Sequence, residues 1–453
     1  MQKSAVRDFT RGNITSQLIT FAWPLFLSNL LQVVYNMVDM IIVGNVLGQV
    51  GISAVSVGGD VTHFLTFVAM GFANAGQVLI ARYVGSRQMD KLGRFVGTMF
   101  GFLMVCALGF SAVGLAFRTQ MLQLMNTPAE SFAGALDYST VCMVGLVFIY
   151  GYNIVSAVLR GMGDSRHPFI FISIAAALNL VLDVLFVIGF GMGAGGAALA
   201  TVISQTVSFV SCAVFLLRHR ERFHLDIKPS EFIRWDQNML GDLVKLGTPM
   251  AIKNAAIQVS KLFVNSWINS YGIAVSAFAG IANKISSISN LVSGAMNTAG
   301  STMVGQNIAA GEFTRVKQIL LRLAAITLSV ALVISLVICL FPDAVFSIFT
   351  TEASVLELAP RYLPIAVLLF FGAALRAVMN ALINGSGNYR INFVTAILDG
   401  IVLRIGLALL FGLALGMKHY GFWLGDALAG FTPFWIGVVF YFTGKWKRKV
   451  ERT

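Results

Sequence analysis

Long apolar runs separated by short polar breaks repeat from one end of this chain to the other. Runs of roughly 20 to 30 residues are long enough for a helix to cross the hydrocarbon core of a bilayer. They predict twelve spans, near residues 16–42, 52–81, 95–117, 134–159, 168–190, 196–217, 242–270, 275–305, 318–341, 356–383, 391–415 and 420–444. Little chain remains for soluble domains, so the expected fold class is all-α integral membrane.

The polar positions inside these runs are not scattered. In the first span Asn29, Gln32, Asn36 and Asp39 are spaced 3, 4 and 3 apart and share one helix face. An ionised aspartate at the centre of a lone spanning helix costs about 2.5–3.5 kcal/mol on insertion scales, so this face should look into a bundle or a wet cavity. The fifth span places Asn179 and Asp183 four residues apart, and the sixth does the same with Ala197 and Thr201. Two carboxylates, an amide, a hydroxyl and a carbonyl near a Gly-rich turn form an all-oxygen set suited to a hard cation such as Na⁺. The same set can hold a proton instead. Read by pattern alone, these are also ordinary buried hydrogen-bonded groups, Thr201 a back-bonding hydroxyl and Asn153 in the fourth span a packing contact.

The chain also repeats itself at an offset near 224. LRGMGDSRHPF, from Leu159, lies over INGSGNYRINF, from Ile383, matching Gly161, Gly163, Arg166 and Phe169 to Gly385, Gly387, Arg390 and Phe393. With small shifts Pro24 and Asn29 lie over Pro249 and Asn254, and Gly191, Met192 and Gly196 over Gly416, Met417 and Gly421. Six spans per half bring both halves in from the same side, so the pseudo-two-fold axis runs along the membrane normal. This gives two six-helix lobes, residues 1–217 and 239–453, joined by a loop over 218–238.

Composition agrees: 57% of residues are hydrophobic and 11% charged, and the mean hydropathy is +0.80. The formal charge of +12 is explained by where the cations lie. Lys3, Arg7, Arg11, Arg82, Arg87, Lys91, Arg94, Arg218, Arg220, Arg222 and the tail from Lys445 to Arg452 fall on one side, against Arg118, Arg361 and Lys418 on the other. The positive-inside rule then makes both termini cytoplasmic. A basic loop between spans is the ordinary topogenic feature, so RHRERF, from Arg218, is not read as a nucleic-acid patch. Residues 1–14 lack the apolar core and cleavage site of a secretory signal. The cysteines Cys106, Cys142, Cys212 and Cys339 fall in separate spans and are expected in the core. GMGAGG, from Gly191, fits a dinucleotide fingerprint but joins two spanning helices with no βαβ unit around it. Its glycines are expected to allow a tight turn. No P-loop, nucleophile elbow or His/Cys ligand cluster occurs, so an enzyme is not expected.

Several motifs occur in a specific order: FAWPLF and YNMVDMIIVG in the first span, LRGMGDSRHP after the fourth, NLVLDVLFVIGFGMGAGGAALATVIS across the fifth and sixth, and INGSGNYR in the second half. Through them the chain resembles the multidrug and toxic compound extrusion (MATE) family over essentially its full length. The resemblance implies two six-helix lobes flanking a cleft and alternating access coupled to inward Na⁺ or H⁺. It also implies efflux of small amphipathic organic compounds by a monomer in a bacterial or archaeal cytoplasmic membrane, with no cofactor beyond the coupling ion. Asp39, Asn179, Asp183, Thr201 and the carbonyl of Ala197 match the family's cation site, Asn153 a neighbouring network residue, and Pro24 the proline where the first helix bends in some members. A flippase for lipid-linked oligosaccharides, from the same superfamily, is the alternative function, and a non-transporting scaffold a further one.

The second half departs from relatives that carry acids in the seventh and tenth spans. Here those spans hold Lys253, Lys261 and Arg376. Asn254, Gln258, Lys261 and Asn265 reproduce the first-span stripe with a cation in place of the anion, and Asn283 and Asn290 add a face in the eighth span. The substrate-facing set is therefore expected to be Asn29, Gln32, Asn36, Gln258, Lys261, Asn283, Asn290 and Arg376. With Lys253, Lys261, Lys284, Arg376 and Arg404 inside the half and Asp399 the one clear acidic partner, the expected preference is for substrates bearing an anionic or acceptor group.

Overall fold

The computed structural model describes residues 5–447, so Lys3, Arg448, Lys449 and Arg452 lie outside the described residues. Among the described residues the chain is helical throughout and contains no β-strand. The first half is carried by α1 (Ile14–Gly85), α2 (Leu92–Leu124), α3 (Ala129–Val144), α4 (Leu146–Gly161), α5 (Arg166–Asp183) and α6 (Gly193–Arg218). The second is carried by α7 (Gln237–Asn269), α8 (Ile273–Ala310), α9 (Phe313–Leu340), α10 (Ala359–Gly385), α11 (Tyr389–Ala414) and α12 (Lys418–Phe442). Eight of the helices are long and apolar enough to cross a membrane, nine if the bent pair α3–α4 counts as one span.

The 72 residues of α1 would extend about 108 Å if straight, more than three times the hydrocarbon core. It contains the first two predicted spans and breaks at Gly48, the one position inside it with non-helical backbone (φ 65°, ψ −155°). A residue with a Cβ is strained at that φ, and glycine is not. Ile52 packs on Gly44 across the break, and Val43 shares a buried cluster with Ala54 and Val55, so the chain doubles back there. α3 and α4 form the fourth predicted span, bent by 49° at Gly145. A Cβ on Gly145 would lie 2.3 Å from Val202 Cγ2, so α6 packs into the bend.

The backbone repeats as the sequence does. Left-handed positions recur at Gly48 and Gly272, Arg87 and Gly311, and Gly163 and Gly387, all 224 apart, then at Gly191 and Gly416, and Gly193 and Lys418, 225 apart. Packing repeats too: a Cβ on Gly161 would meet Gln77 O and Ile80, and one on Gly385 would meet Ser301 O and Val304. The step from 224 to 225 has a structural cause. α5 runs into one π-helical turn, Val184–Gly189, whereas α11 contains two, Leu398–Val402 and Leu410–Ala414. A π turn takes up an extra residue, so the first turn of α11 is an insertion in the second half.

Contacts gather the chain into two compact units: residues up to Asp8 with Trp23–Gly247, and Phe9–Ala22 with the chain from Thr248 on. In the second unit Phe9 is pinned by Gln306 Oε1, which accepts from its N–H at 3.0 Å, and by Arg315 Nε, which donates to its carbonyl at 2.8 Å. In the first unit the loop after α6 lies along a groove on α2. A Cβ on Gly93 or Gly101 would come within 2.1 Å of the carbonyl oxygens of Asp226 and Phe232 respectively. Asp236 fixes the end of that loop, pairing with Arg94 at 3.2 Å. Gly101→Val is therefore expected to unseat the loop. Limited proteolysis of the detergent-solubilised protein should then cut between 226 and 236 several-fold faster than in the parent, with the helices still intact.

Cys142 and Cys212 are buried as expected, but Cys339 is exposed and Cys106 half-buried. A small, weakly polar thiol fits an outward-facing helix surface as well as a core.

Candidate cation and substrate sites

In the first unit the helices bury three polar side chains where lipid or apolar packing would otherwise be: Asp39 is 7% exposed, Asn179 3% and Asp183 1%. Asp39 Oδ1, Asp183 Oδ1 and Asn179 Nδ2 are fully enclosed and have no hydrogen-bond partner within the described protein. Leaving such oxygens bare is costly, so a site of this kind calls for a cation or a proton. The sequence folds this way locally because Asp183 closes α5 just before its π turn, a geometry that recurs where a helix is bent around a functional position.

Asn179 and Thr201 line one small cavity of about 190 Å³, a volume that includes its open mouth, together with Tyr35, Ser204 and Gln205; Asp39 and Asp183 do not line it. Ala197 is fully buried in a cluster with Val43 and Val187, each four residues beyond Asp39 and Asp183. Ala197 thus belongs to the same packed cluster as residues of both carboxylate-bearing helices. Asn153 is turned to its own helix, its Nδ2 donating to Ile149 O at 2.8 Å, and does not line the cavity. Two carboxylates among neutral oxygens fit a monovalent hard cation or a proton. Among the described residues no group of three or more His, Cys, Asp or Glu offers a cage for a polyvalent metal.

The helix is continuous through Pro24, whose carbonyl accepts from Ser28 Oγ at 2.8 Å. The chain passes from the second unit to the first between Ala22 and Trp23, and back again between Gly247 and Thr248. Each passage comes just before a repeat-related proline, Pro24 or Pro249. Of the remaining stripe on α1, Asn29 and Gln32 are half-buried and Asn36 exposed.

In the second unit Lys261, Asn283, Asn290 and Arg376 line one cavity of about 760 Å³, a volume that includes its open mouth. Gln258 is exposed and does not line it, and Lys284, expected inside the half, is also exposed. Gln258 shares the face of Lys261 by its spacing yet lies outside the cavity, and Lys284, next to Asn283 in sequence, lies on a different face of α8. Arg376 Nη2 donates to Asn290 Oδ1 at 2.8 Å. Lys253 is buried, its Nζ donating to Asn380 Oδ1 at 2.7 Å.

The expectation of a single acidic partner is corrected here. Arg404, 1% exposed, donates through Nη2 to Asp399 Oδ1 at 2.9 Å and through Nη1 to Asp426 Oδ1. Asp426 was missed because it stands alone in GFWLGDALAG with no polar stripe around it. The repeat could have found it, since at an offset of 225 Thr201 lies over Asp426 and Asn179 over Arg404. Where the first unit has neutral oxygen donors, the second carries its own guanidinium–carboxylate pair. Asp399, on the inserted π turn, completes it.

A polytopic helical membrane protein with two repeats, one carrying unpartnered buried carboxylates and the other a cationic cavity, has the build of a secondary transporter rather than an enzyme. The MatE family model matches residues 24–185 and 249–410, one match per repeat. The chain belongs to the MatE family, whose members are transporters. A probable multidrug resistance protein, YpnP of Bacillus subtilis, is 29% identical over 441 residues, covering 97% of each chain. The fold matches that of a Pyrococcus furiosus MOP superfamily transporter described as having a binding pocket of reversed polarity, at a TM-score of 0.89 and 21% identity, over 99% of this chain and 100% of that one. It also matches an outward-facing multidrug resistance MATE transporter at a TM-score of 0.87 and 21% identity, over 98% of both chains.

Proposed function

We propose that this protein is a secondary active multidrug efflux transporter, exchanging amphipathic organic compounds for inward Na⁺ or H⁺ by alternating access of its two lobes, residues 1–217 and 239–453. The observation that carries this reading is the pair of buried carboxylates, Asp39 and Asp183, each with an enclosed Oδ1 that has no hydrogen-bond partner; the cavity that Asn179 and Thr201 line, and the buried Ala197, support it. The name of the Bacillus subtilis relative supports the substrate class. The excess of basic residues on one set of loops supports a topology with both termini in the cytoplasm, and the relatives' names support a bacterial or archaeal cytoplasmic membrane.

The mechanism is reciprocal linkage. An ion bound at the two carboxylates and a compound bound in the substrate cavity stabilise opposite states of one equilibrium, and coupling is the difference in each ligand's affinity for the two states. One charge moving inward gains about 2.3 kcal/mol per 100 mV, a bias of roughly fifty-fold.

The ion is identified by unfolding the purified protein in detergent. A ligand of the native state alone stabilises it by about 2.7 kcal/mol at a hundred times its Kd. If Na⁺ is the ion, NaCl raises the melting temperature above that in choline chloride, and Asp183→Asn removes the difference. If H⁺ is, the melting temperature follows pH, not Na⁺, and Asp183→Asn removes the pH response. A parent protein indifferent to both overturns the reading.

A further inference from the structure

The second unit holds more positive charge than it neutralises. Four cations, Lys253, Lys261, Arg376 and Arg404, are grouped with two carboxylates, Asp399 and Asp426, and Arg404 bonds Oδ1 of each. The direct hydrogen bonds of the other cations go to neutral groups. Lys253 rests on Asn380 and Arg376 on Asn290. Lys261 makes no hydrogen bond or ion pair among the described residues.

Lys261 and Arg376 both line the same cavity. Arg404 and Asp426 line it too, bonded to each other, so the cavity holds more cations than carboxylates; such a surplus is costly in a membrane protein, and the cost falls when an anion arrives with its own charge. The rest of the lining indicates what kind of anion. Tyr362, Phe370 and Trp423 also line the cavity, with Tyr362 and Trp423 stacked edge to face at 5.2 Å between ring centres. Such walls take flat rings, and Asn283 and Asn290 supply neutral donors and acceptors at the edge.

The repeat gives independent support. Arg404 and Asp426 occupy the positions that correspond to Asn179 and Thr201 of the cation site. A guanidinium of the chain itself therefore stands in the second unit's version of that site, which leaves the unit no vacancy for a free cation. Lys261 corresponds to Asn36 and turns the polar stripe of α7 positive.

We propose that this cavity binds an aromatic organic anion, Lys261 and Arg376 holding its carboxylate, sulfonate or phosphate group and the wall at Tyr362 and Trp423 taking its rings. The inference rests on the transport reading above for the bound compound's role as cargo, and sets its charge class.

Two xanthene dyes of opposite charge test it: carboxyfluorescein, an anion, and rhodamine 123, a cation. Binding is followed by fluorescence anisotropy with the full-length protein in detergent and no gradient. The parent is expected to bind carboxyfluorescein. Lys261→Gln and Arg376→Gln should each weaken it about tenfold or more, the loss of one charge-assisted hydrogen bond, and leave rhodamine 123 unchanged or tighter. Lys261→Arg, which keeps the charge, should retain carboxyfluorescein binding and guards against a misfolded Lys261→Gln.

The proposal is overturned if both dyes weaken alike, if neither glutamine variant affects carboxyfluorescein, or if the parent does not bind it. Phosphatidylglycerol that co-purifies with the parent but not with Lys261→Gln, with no carboxyfluorescein bound, would assign the cations to a lipid headgroup and equally overturn it. Failure of the transport reading has a separate signature: carboxyfluorescein binds as described, yet no imposed gradient moves it across proteoliposomes.

Discussion

Arg404→Leu is expected to destabilise the second unit by about 3–5 kcal/mol, the usual cost of removing one partner from a buried ion pair. Arg404 engages Asp399 and Asp426 at once, and Asp399 is fully buried. Without the guanidinium, Asp399 Oδ1 joins Oδ2, which already has no hydrogen-bond partner. The change should appear as a melting temperature lower by several degrees in detergent. Adding Asp399→Leu and Asp426→Leu to Arg404→Leu should recover most of the loss, because apolar groups of similar volume can replace a buried pair at little cost. A single variant that melts with the parent would mean the network carries little of the unit's stability.

The second large effect is expected in the first unit, where one ion would be shared by two carboxylates. Asp39→Asn and Asp183→Asn should each lower the steady-state dye ratio maintained by a 100 mV potential by up to about fifty-fold, the whole bias one charge can supply. The double variant should be no worse than either single one, because groups serving one ion act as a unit. Losses that multiply would instead mean two independent roles. Thr201→Ala removes a neutral oxygen and leaves both charges, so a smaller loss is expected from it.

Much of this fold can be read from the chain because a bilayer leaves few choices. A run of 20 or more apolar residues is a helix there, loops are sided by their lysines and arginines, and the glycine pairs at 163 and 387 and at 191 and 416 reveal the repeat before any coordinates do. The glycines adopt the left-handed backbone that their turns need. The single element formed by the first two spans was not legible, because the glycines of NVLGQVG do not distinguish a break from a loop. Neither were the π turns, which depend on one extra residue and leave no mark in hydropathy.

Among side chains, spacing gives the face of a helix but not what that face meets. It put Asn179 with Asp183, and Asn283 with Asn290, but it could not tell that Gln258 and Lys284 lie outside the cavity that Lys261 and Arg376 share. A single acid such as Asp426 has no period to reveal it. It becomes visible only when the two halves are aligned through their turns, which is also what places Arg404 opposite Asn179.

The central claim is that Asp39 and Asp183 couple an ion gradient to export. The direct measurement is dye efflux from proteoliposomes under Na⁺ and H⁺ gradients imposed one at a time, for the parent and for Asp39→Asn. The account predicts that one gradient drives efflux by the parent, which identifies the ion, and that Asp39→Asn does not respond to it. Equal export by both proteins under that gradient would contradict the account and leave Asp39 a structural residue.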